Sequence, residues 1–442
     1  MASLNISSVR LSVSELPSIT CQELEPFETI TLRAHFVDEE GLTWSSWMSG
    51  KCDVEGRFDI AMADAIEGSY QGIDSAGLFW SMAPEGAADL DKFRMEAELI
   101  TDKGPSLHSA GFPTCYGDEA LRTTISLFRN GSLVNQQAID RLRLPDNVVE
   151  EKLTGELTGS LFHPTDPSGC PPVIFISGSE GGVKRHQAMQ LAQHGFCVLA
   201  LGYFNCEGRP AQLERISIEY FEKGMDWLSQ RTGEKSVGLI GGSRGGEGVL
   251  AIAALTDRPI SAVVSMVPAD IYCATTLFPE GVAPAWTHKG EVLPAAGLVA
   301  TKTWADLDQY DAGELVDTTE MFFGFFFDEA VYESTAIPVE QVNAPIFFAT
   351  GADDRCWPSH HATLRARERL KKAEFAYPVE HVFDESAGHL LGFPGLPTMM
   401  TTKMLLPPKG VFLGLGGTPQ ANSHNQRQSW SQMIKFLKKH CE

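Results

Sequence analysis

A serine stands between glycines where an apolar run meets an amphipathic one, in Gly241-Gly242-Ser243-Arg244-Gly245. Before it, Val237 to Ile240 (VGLI) reads as a strand; after it, EGVLAIAAL reads as a helix. A G-x-S-x-G in that setting has the form of a nucleophile elbow, a turn so tight that small residues are needed two before and two after the serine. The hydroxyl is then exposed above the carboxyl end of a sheet, beside a helix N-terminus whose unpaired N–H groups favour developing negative charge. A serine needs a base to take its proton, and a later loop supplies one: His381 to Phe383 reads as a strand, and Gly388-His389 follows it. A third group must fix the tautomer of that imidazole. The strand Ile346 to Thr350 ends in Gly351-Ala352-Asp353-Asp354, and either aspartate could accept the His389 N–H. Two backbone donors are expected to hold an oxyanion, the N–H of Arg244 and that of Ser179 in the loop Gly178-Ser179-Glu180-Gly181. Lys184, Arg185, Arg244 and Arg355 lie near these positions and suggest a phosphate-bearing substrate. His360 and His361 open a helical pattern and read as surface or helix-start residues. No His, Cys, Asp or Glu spacing matches a metal site, so neither metal nor cofactor is expected.

The elements that position these groups fall in residues 146–442. Short apolar runs there (VIFI at 173–176, FCVLAL at 196–201, VGLI, and Ala262 to Val267) alternate with amphipathic stretches such as the one from about Ser217 to Gln230. That rhythm predicts an α/β fold, a mostly parallel sheet with crossover helices. The stretch at about 270–340 breaks it with many Pro, Gly, Trp and Phe residues and reads as a lid or pocket-wall insertion. Residues 1–145 read differently. Thr29 to Val37 alternates, with Ile30, Leu32, Ala34 and Phe36 on one face. Val9 to Val13, Thr43 to Trp47, Phe93 to Leu99 and Thr123 to Phe128 are further strand candidates, with turns at Glu40-Gly41, Glu55-Gly56 and Asn130-Gly131. An antiparallel β-sandwich of structural or docking type is expected.

Composition bounds the partners. Of 442 residues, 43% are hydrophobic and 21% charged, as in an ordinary globular protein, but Asp and Glu (57) outnumber Lys and Arg (35), for a net charge of −22. Such a surface repels nucleic acid and anionic lipid, so neither is an expected partner. No apolar run approaches a membrane span, and the most apolar cluster, Met321 to Phe327, is far too short. The first residues lack a basic segment followed by an apolar one, so no secretory signal is expected. Nine cysteines without a C-x-x-C pair suit a reducing compartment, and a cytoplasmic protein is expected. Asn5-Ile6-Ser7 and Asn130-Gly131-Ser132 then read as chance glycosylation matches.

Taken together, the motifs resemble the acyl-CoA thioesterase and bile acid-CoA:amino acid N-acyltransferase family. The likeness rests on Gly68-Ser69-Tyr70-Gln71-Gly72-Ile73-Asp74 with Gly77-Leu78-Phe79-Trp80-Ser81-Met82, on Gly195-Phe196 through Gly202-Tyr203-Phe204, and on Glu219-Tyr220-Phe221-Glu222. The serine elbow, Asp353-Asp354-x-x-Trp357, Gly388-His389 and Gly416-Gly417-Thr418-Pro419 follow in family order. The resemblance implies an immunoglobulin-like β-sandwich followed by an α/β-hydrolase domain, with Ser243, Asp354 and His389 as triad; it selects the second aspartate. It implies acyl-CoA as substrate. Amino-acid-conjugating relatives carry cysteine at the Ser243 position, and a thioester acyl-enzyme is readily attacked by amines. A serine acyl-enzyme is an oxygen ester and favours water, so hydrolysis to a free acid and CoA is the implied reaction. Amino-acid conjugation, and carboxylester or dienelactone-type hydrolysis, are the alternatives on the same fold. Leu390-Leu391-Gly392-Phe393-Pro394 departs from the family pattern, in which a carboxylate and two prolines commonly follow Gly-His. Oligomeric state is not legible.

Overall fold

The computed structural model describes residues 2–96, 100–101, 104–105, 113, 119–167, 169–276, 282–297, 310–316, 326–406 and 410–441. The first strands are β1 (Ser3–Ile6), β2 (Arg10–Ser12), β3 (Ile19–Gln22), β4 (Thr29–Val37), β5 (Thr43–Lys51), β6 (Phe58–Asp59), β7 (Leu121–Arg129) and β8 (Ser132–Leu142). A seven-stranded sheet runs β2-β8-β7-β4-β5 and ends on two short strands, Glu67–Gly68 and Ala83–Pro84, both paired with β5. A smaller sheet runs β1-β3-β6. Leu4, Ile19 and Phe58 of the smaller sheet share one core with Leu32, Phe36 and Leu127 of the larger. The alternation of β4 is realised: Ile30, Leu32, Ala34 and Phe36 are all buried and their neighbours are not. Asn130 and Gly131 both take positive φ, 48° and 75°, the two-residue turn whose twist suits a hairpin.

The expected strand over Phe93 to Leu99 is overturned. Leu90–Glu96 is a helix, and 97–99 lie outside the described residues. Asp89 decides it. Its carboxylate accepts from the N–H groups of Asp91 and Lys92 at 3.0 and 3.1 Å, a capping arrangement that outweighs the alternation.

The second half is one eight-stranded sheet. Its strands are β9 (Val148–Lys152), β10 (Thr158–Pro164), β11 (Pro172–Ile176), β12 (Cys197–Gly202), β13 (Val237–Gly242), β14 (Ile260–Met266), β15 (Ile346–Gly351) and β16 (Val379–Asp384). The order is β9-β10-β12-β11-β13-β14-β15-β16, antiparallel at the first two pairings and parallel from β12 onward. Helices α1 (Arg185–Ala192), α2 (Ile218–Thr232), α3 (Arg244–Leu255), α4 (Ser359–Lys372) and α5 (Pro419–Cys441) accompany it. Every residue of β11, β12 and β15 is buried, which is why these strands read as unbroken apolar runs.

Between β14 and β15 the described residues make short ribbons, including Ala274–Thr276 with Val282–Pro284 and Trp286–His288 with Glu291–Val292, and a helix at Glu329–Thr335. Residues 277–281, 298–309 and 317–325 of this stretch, and with them most of the Met321 to Phe327 cluster, lie outside the described residues. No described helix is long and apolar enough to cross a membrane.

The two halves are stitched around α5. Asp74 accepts the Trp80 indole N–H at 2.9 Å and both terminal nitrogens of Arg427, at 2.8 and 2.9 Å. Tyr70 lies so close over Gly77 that any β-carbon there would enter its ring. Thr398 donates its N–H to the Trp80 carbonyl at 2.9 Å, and buried Arg141 donates to the carbonyls of Val13 and Gly395. The Gly68-to-Met82 motif is therefore a junction piece. Asp74→Asn keeps the shape but leaves the Arg427 fork against a neutral group. It should lower stability by about 2–4 kcal/mol, read as a lower urea midpoint with unchanged m-value.

Candidate active site

Ser243 is the residue between β13 and α3, held at φ 57° and ψ −122°. Such a backbone costs of order 1–3 kcal/mol for a non-glycine residue and persists only where the surroundings enforce it. They do so here by contact. A β-carbon on Gly241 would run into the backbone of Gly245, and one on Gly245 into the carbonyl of Ser177. The Ser243 N–H donates to the Met266 carbonyl at 2.9 Å, pinning the turn to the end of β14.

His389 comes from the loop after β16 and is buried. Its Nε2 lies 3.0 Å from Ser243 Oγ, and its Nδ1 lies 2.8 Å from Asp354 Oδ2. Three side chains distant in sequence are thus joined at hydrogen-bond distance, hydroxyl to imidazole to carboxylate. The second aspartate, as expected, is the partner. Its other oxygen accepts from the N–H groups of Cys356 and Trp357 at 2.9 and 3.2 Å. Asp353 does something else. It accepts from Arg355 Nε at 2.6 Å and from the Gly417 N–H at 3.0 Å, bracing the turn that lies under His389. The histidine backbone is fixed by its own N–H donating to Leu415 O at 2.8 Å and by the Gly388 N–H donating to Asn422 Oδ1 at 2.8 Å. The Trp357 indole stands edge-on to the imidazole at 6.0 Å and anchors its own N–H on the Val267 carbonyl. Burial disfavours a charged imidazole, but the adjoining Asp354 carboxylate, with Cys356 beside it, outweighs that and raises the His389 pKa well above its ordinary value.

The loop after β11 passes beside the serine: a β-carbon on Gly178 would sit 3.4 Å from Ser243 Cβ. Among the described residues neither the Ser179 N–H nor the Arg244 N–H meets a backbone acceptor. Tyr203, Phe204 and Asn205 prop this loop. The Tyr203 hydroxyl donates to Ser177 O at 2.9 Å, the Phe204 carbonyl accepts from the Gly182 N–H at 2.9 Å, and the Asn205 amide donates to Glu180 O at 2.9 Å.

Each of the expected cations is paired with a carboxylate of this chain. Lys184 pairs with Glu180, Arg185 with Glu150, Arg244 with Glu247, and Arg355 with Asp353. The Arg244 side chain is turned wholly inward, where it also donates to Cys273 O at 2.8 Å and Thr275 Oγ1 at 3.1 Å. Glu247, fully buried, accepts in addition from the Trp286 indole at 2.8 Å and the Cys273 N–H at 3.2 Å. Burial pushes its pKa up, against the pull of Arg244. This pair ties the first turn of α3 to the wall built by 273–286. Sequence reasoning missed Glu247, although one carboxylate in an otherwise apolar helix start was a signal. It also missed Ser359, whose hydroxyl donates to Asp354 Oδ2 at 2.5 Å.

His360 and His361 take the structural roles expected of helix-start residues. His360 Nδ1 meets Thr350 Oγ1 at 2.9 Å, and the His361 ring packs on Phe327. The departing loop Leu390 to Pro394 lies along α5, with the Gln426 amide donating to Leu390 O at 3.1 Å and Phe393 against Trp430. Among the described residues no group of His, Cys, Asp and Glu side chains is placed to hold a metal ion.

The parallel sheet, the strand–serine–helix turn and the later loops that meet it define an α/β-hydrolase preceded by a sheet-rich N-terminal region. Residues 216–442 match the family described as BAAT / Acyl-CoA thioester hydrolase C terminal, and residues 14–154 match the Acyl-CoA thioester hydrolase/BAAT N-terminal region. The chain belongs to that family. It is 28% identical over 432 residues to Homo sapiens acyl-coenzyme A thioesterase 1, covering 96% of this chain and 92% of the relative. It is equally identical, over 449 residues, to Mus musculus acyl-coenzyme A thioesterase 6, covering 99% and 97%. Human acyl-coenzyme A thioesterase 2, mitochondrial, is 28% identical over 96% of this chain and 80% of its own length. Among solved structures, MGS-M1, an α/β-hydrolase enzyme from a Medee basin deep-sea metagenome library, is similar over 67% of this chain and 99% of its own at 16% identity, with a TM-score of 0.39.

Gly245→Ala tests the close packing that holds the turn. The added methyl meets backbone rather than a movable side chain, so overpacking of about 1–3 kcal/mol is expected, read as a lower melting temperature. Labelling of Ser243 by a fluorophosphonate should fall with it.

Proposed function

We propose that the chain is a serine-dependent acyl-CoA thioesterase, converting an acyl-CoA and water into a free carboxylic acid and CoA. The observation that carries this reading is the continuous relay from Ser243 Oγ through His389 to Asp354, at 3.0 and 2.8 Å, on a strained elbow. Membership of the family and the names of its relatives supply the substrate class.

His389 Nε2 takes the hydroxyl proton as Ser243 Oγ attacks the thioester carbonyl carbon. Asp354 keeps Nδ1 protonated, so that Nε2 is the basic nitrogen, and stabilises the imidazolium that forms. Negative charge gathers on the former carbonyl oxygen, for which the Arg244 and Ser179 N–H groups are the proposed donors; each such donor is worth ~2.7–4 kcal/mol in comparable sites. The carbon–sulfur bond breaks, His389 returns its proton to the departing thiolate, and an oxygen-ester acyl-enzyme remains. Water gives a proton to His389 as it attacks that ester, and His389 returns the proton to the departing Ser243 Oγ, which frees the acid and restores the hydroxyl. Nothing else is consumed.

The remaining assignments also belong to this reading. Residues 1–145 form the N-terminal domain and 146–442 the catalytic one, with about 270–340 walling the acyl pocket. A cytoplasmic, reducing location is inferred from cysteines that, among the described residues, form no disulfide.

Two measurements test the proposal. Thiol release across short, long and branched acyl-CoA substrates should be readily measured in the unsubstituted protein and fall by at least about 10⁴-fold in Ser243→Ala, with folding unchanged. Absence of release with every chain length would refute the substrate class, and conjugate formation with added glycine or taurine would redirect it to amine transfer. The second test is pH dependence. Only neutral His389 can accept the proton, and its pKa is raised. kcat/KM should therefore climb with pH along a limb whose midpoint lies above the ~6.5 of an ordinary imidazole; a midpoint below that value would contradict the role given to Asp354.

A further inference from the structure

The acid of the relay carries more donors than orientation of one imidazole requires. Asp354 Oδ1 is occupied by two backbone N–H groups. Oδ2 takes both the His389 N–H at 2.8 Å and the Ser359 hydroxyl at 2.5 Å. Ser359 is the first residue of α4 and is completely buried. The N-cap of this helix is Pro358, so Ser359 is not its capping residue and its hydroxyl is not used on the free N–H groups of the first turn. Here the hydroxyl is turned to the carboxylate instead.

We propose that Ser359 is a positioning residue that moderates the charge of Asp354, and through it sets the pH at which His389 becomes a base. The inference rests on the relay reading given above. A donor on Oδ2 spreads that oxygen's charge and weakens its hold on the imidazolium. Removing the donor leaves a more concentrated negative charge against Nδ1. The imidazolium then persists to higher pH.

Of the other groups around the pair, the loop after β11 brings the Glu180 carboxylate close to Gly178, where it is paired with Lys184, and none of them bonds to Asp354 Oδ2 as Ser359 does. From the acid loop, Cys356 faces His389, while Asp353 is turned to Arg355 and the Gly417 N–H. From α3 comes the Ser243 hydroxyl itself, and Glu247 is committed to Arg244 and Trp286. From α4, His360 is bonded to Thr350 and His361 packs on Phe327. The β14 end and Leu415 to Gly417 offer only backbone groups and apolar side chains, and α5 presents neutral Asn422.

The test is the rate at which a fluorophosphonate labels Ser243 in the full chain, followed from about pH 5 to pH 10 across the imidazole titration. This readout needs a competent relay but no particular acyl substrate. In Ser359→Ala the acid limb should move up by about half to one pH unit, while the high-pH plateau stays within ~3-fold. Ser359→Cys, of similar size but a weaker donor, should fall between, and it carries the test if the alanine variant does not fold. A limb that stays in place or moves down in a folded variant overturns the proposal, as does a lost plateau with an unmoved limb, which marks a purely structural role. An unsubstituted protein that never labels overturns the nucleophile assignment and the role of Ser359 with it. Labelling with the expected shift, in a protein inert to every acyl-CoA, upholds Ser359 and removes only the substrate.

Discussion

The arrangement depends on a backbone crossing. Ser243 must hold φ at 57°, and the neighbouring chains must pass close enough to hold it there. Three loops reach this point, from the ends of β11, β15 and β16, and each passes another at a distance that leaves no room for a β-carbon. Gly245 lies against Ser177, Gly351 against Ala387, and Gly388 against Gly416. Hydrogen bonds then lock what the close approach permits. The Asp353 N–H donates to Ala387 O, the His389 N–H to Leu415 O, and the Gly417 N–H to the Asp353 carboxylate. The hydroxyl–imidazole distance is thus set by main chain, which makes it stiffer than a contact between two freely rotating side chains.

Charge is handled inside the molecule in the same manner. The chain carries a net −22, yet the cations nearest the candidate nucleophile are consumed by internal carboxylates. The Arg244–Glu247 pair is the extreme case, since both members are buried and each also bonds to groups of the intervening wall. Breaking such a pair strands a charge where water cannot reach it, so the pair enforces one geometry even where it adds little net stability. Its position gives that geometry a use: the residue whose N–H is the proposed oxyanion donor is held by the same carboxylate that holds Trp286 and Cys273 of the intervening wall. The wall and the elbow are thereby tied to one carboxylate.

Much of this was legible in the sequence because the signals were local. Ser243 announced itself by flanking glycines and by a strand-to-helix change of period, and β11, β12 and β15 by unbroken apolar runs. The alternation of β4 gave its buried face residue by residue. What failed was either a local competitor or a contact between distant segments. Over Phe93 to Glu96, the described part of an apparent strand, a capping aspartate favours a helix instead. Arg185 looked available because its carboxylate partner, Glu150, lies on another element, and Lys184, Arg244 and Arg355 because no periodicity marks Glu180, Glu247 or Asp353 as their partners. Ser359 was invisible for the same reason: nothing in a Trp-Pro-Ser sequence says which way the hydroxyl turns.

The role of the N-terminal half follows from where it touches. Its motif Gly68-to-Met82 does not enter the relay. It grips the chain just beyond His389, through Trp80 O with the Thr398 N–H, and α5 through Asp74 with Arg427. Arg141 reaches Gly395 from the same side. The segment after the histidine is thereby held at its far end by one half of the molecule and at its near end by the other. A loop closed at both ends has far fewer conformations than one anchored once. Here that loop carries the imidazole that lies 3.0 Å from the Ser243 hydroxyl. The sheet-rich half thus touches the backbone on which His389 is mounted, through Trp80, Asp74 and Arg141, and among the described residues it contributes no side chain to the Ser243–His389–Asp354 cluster.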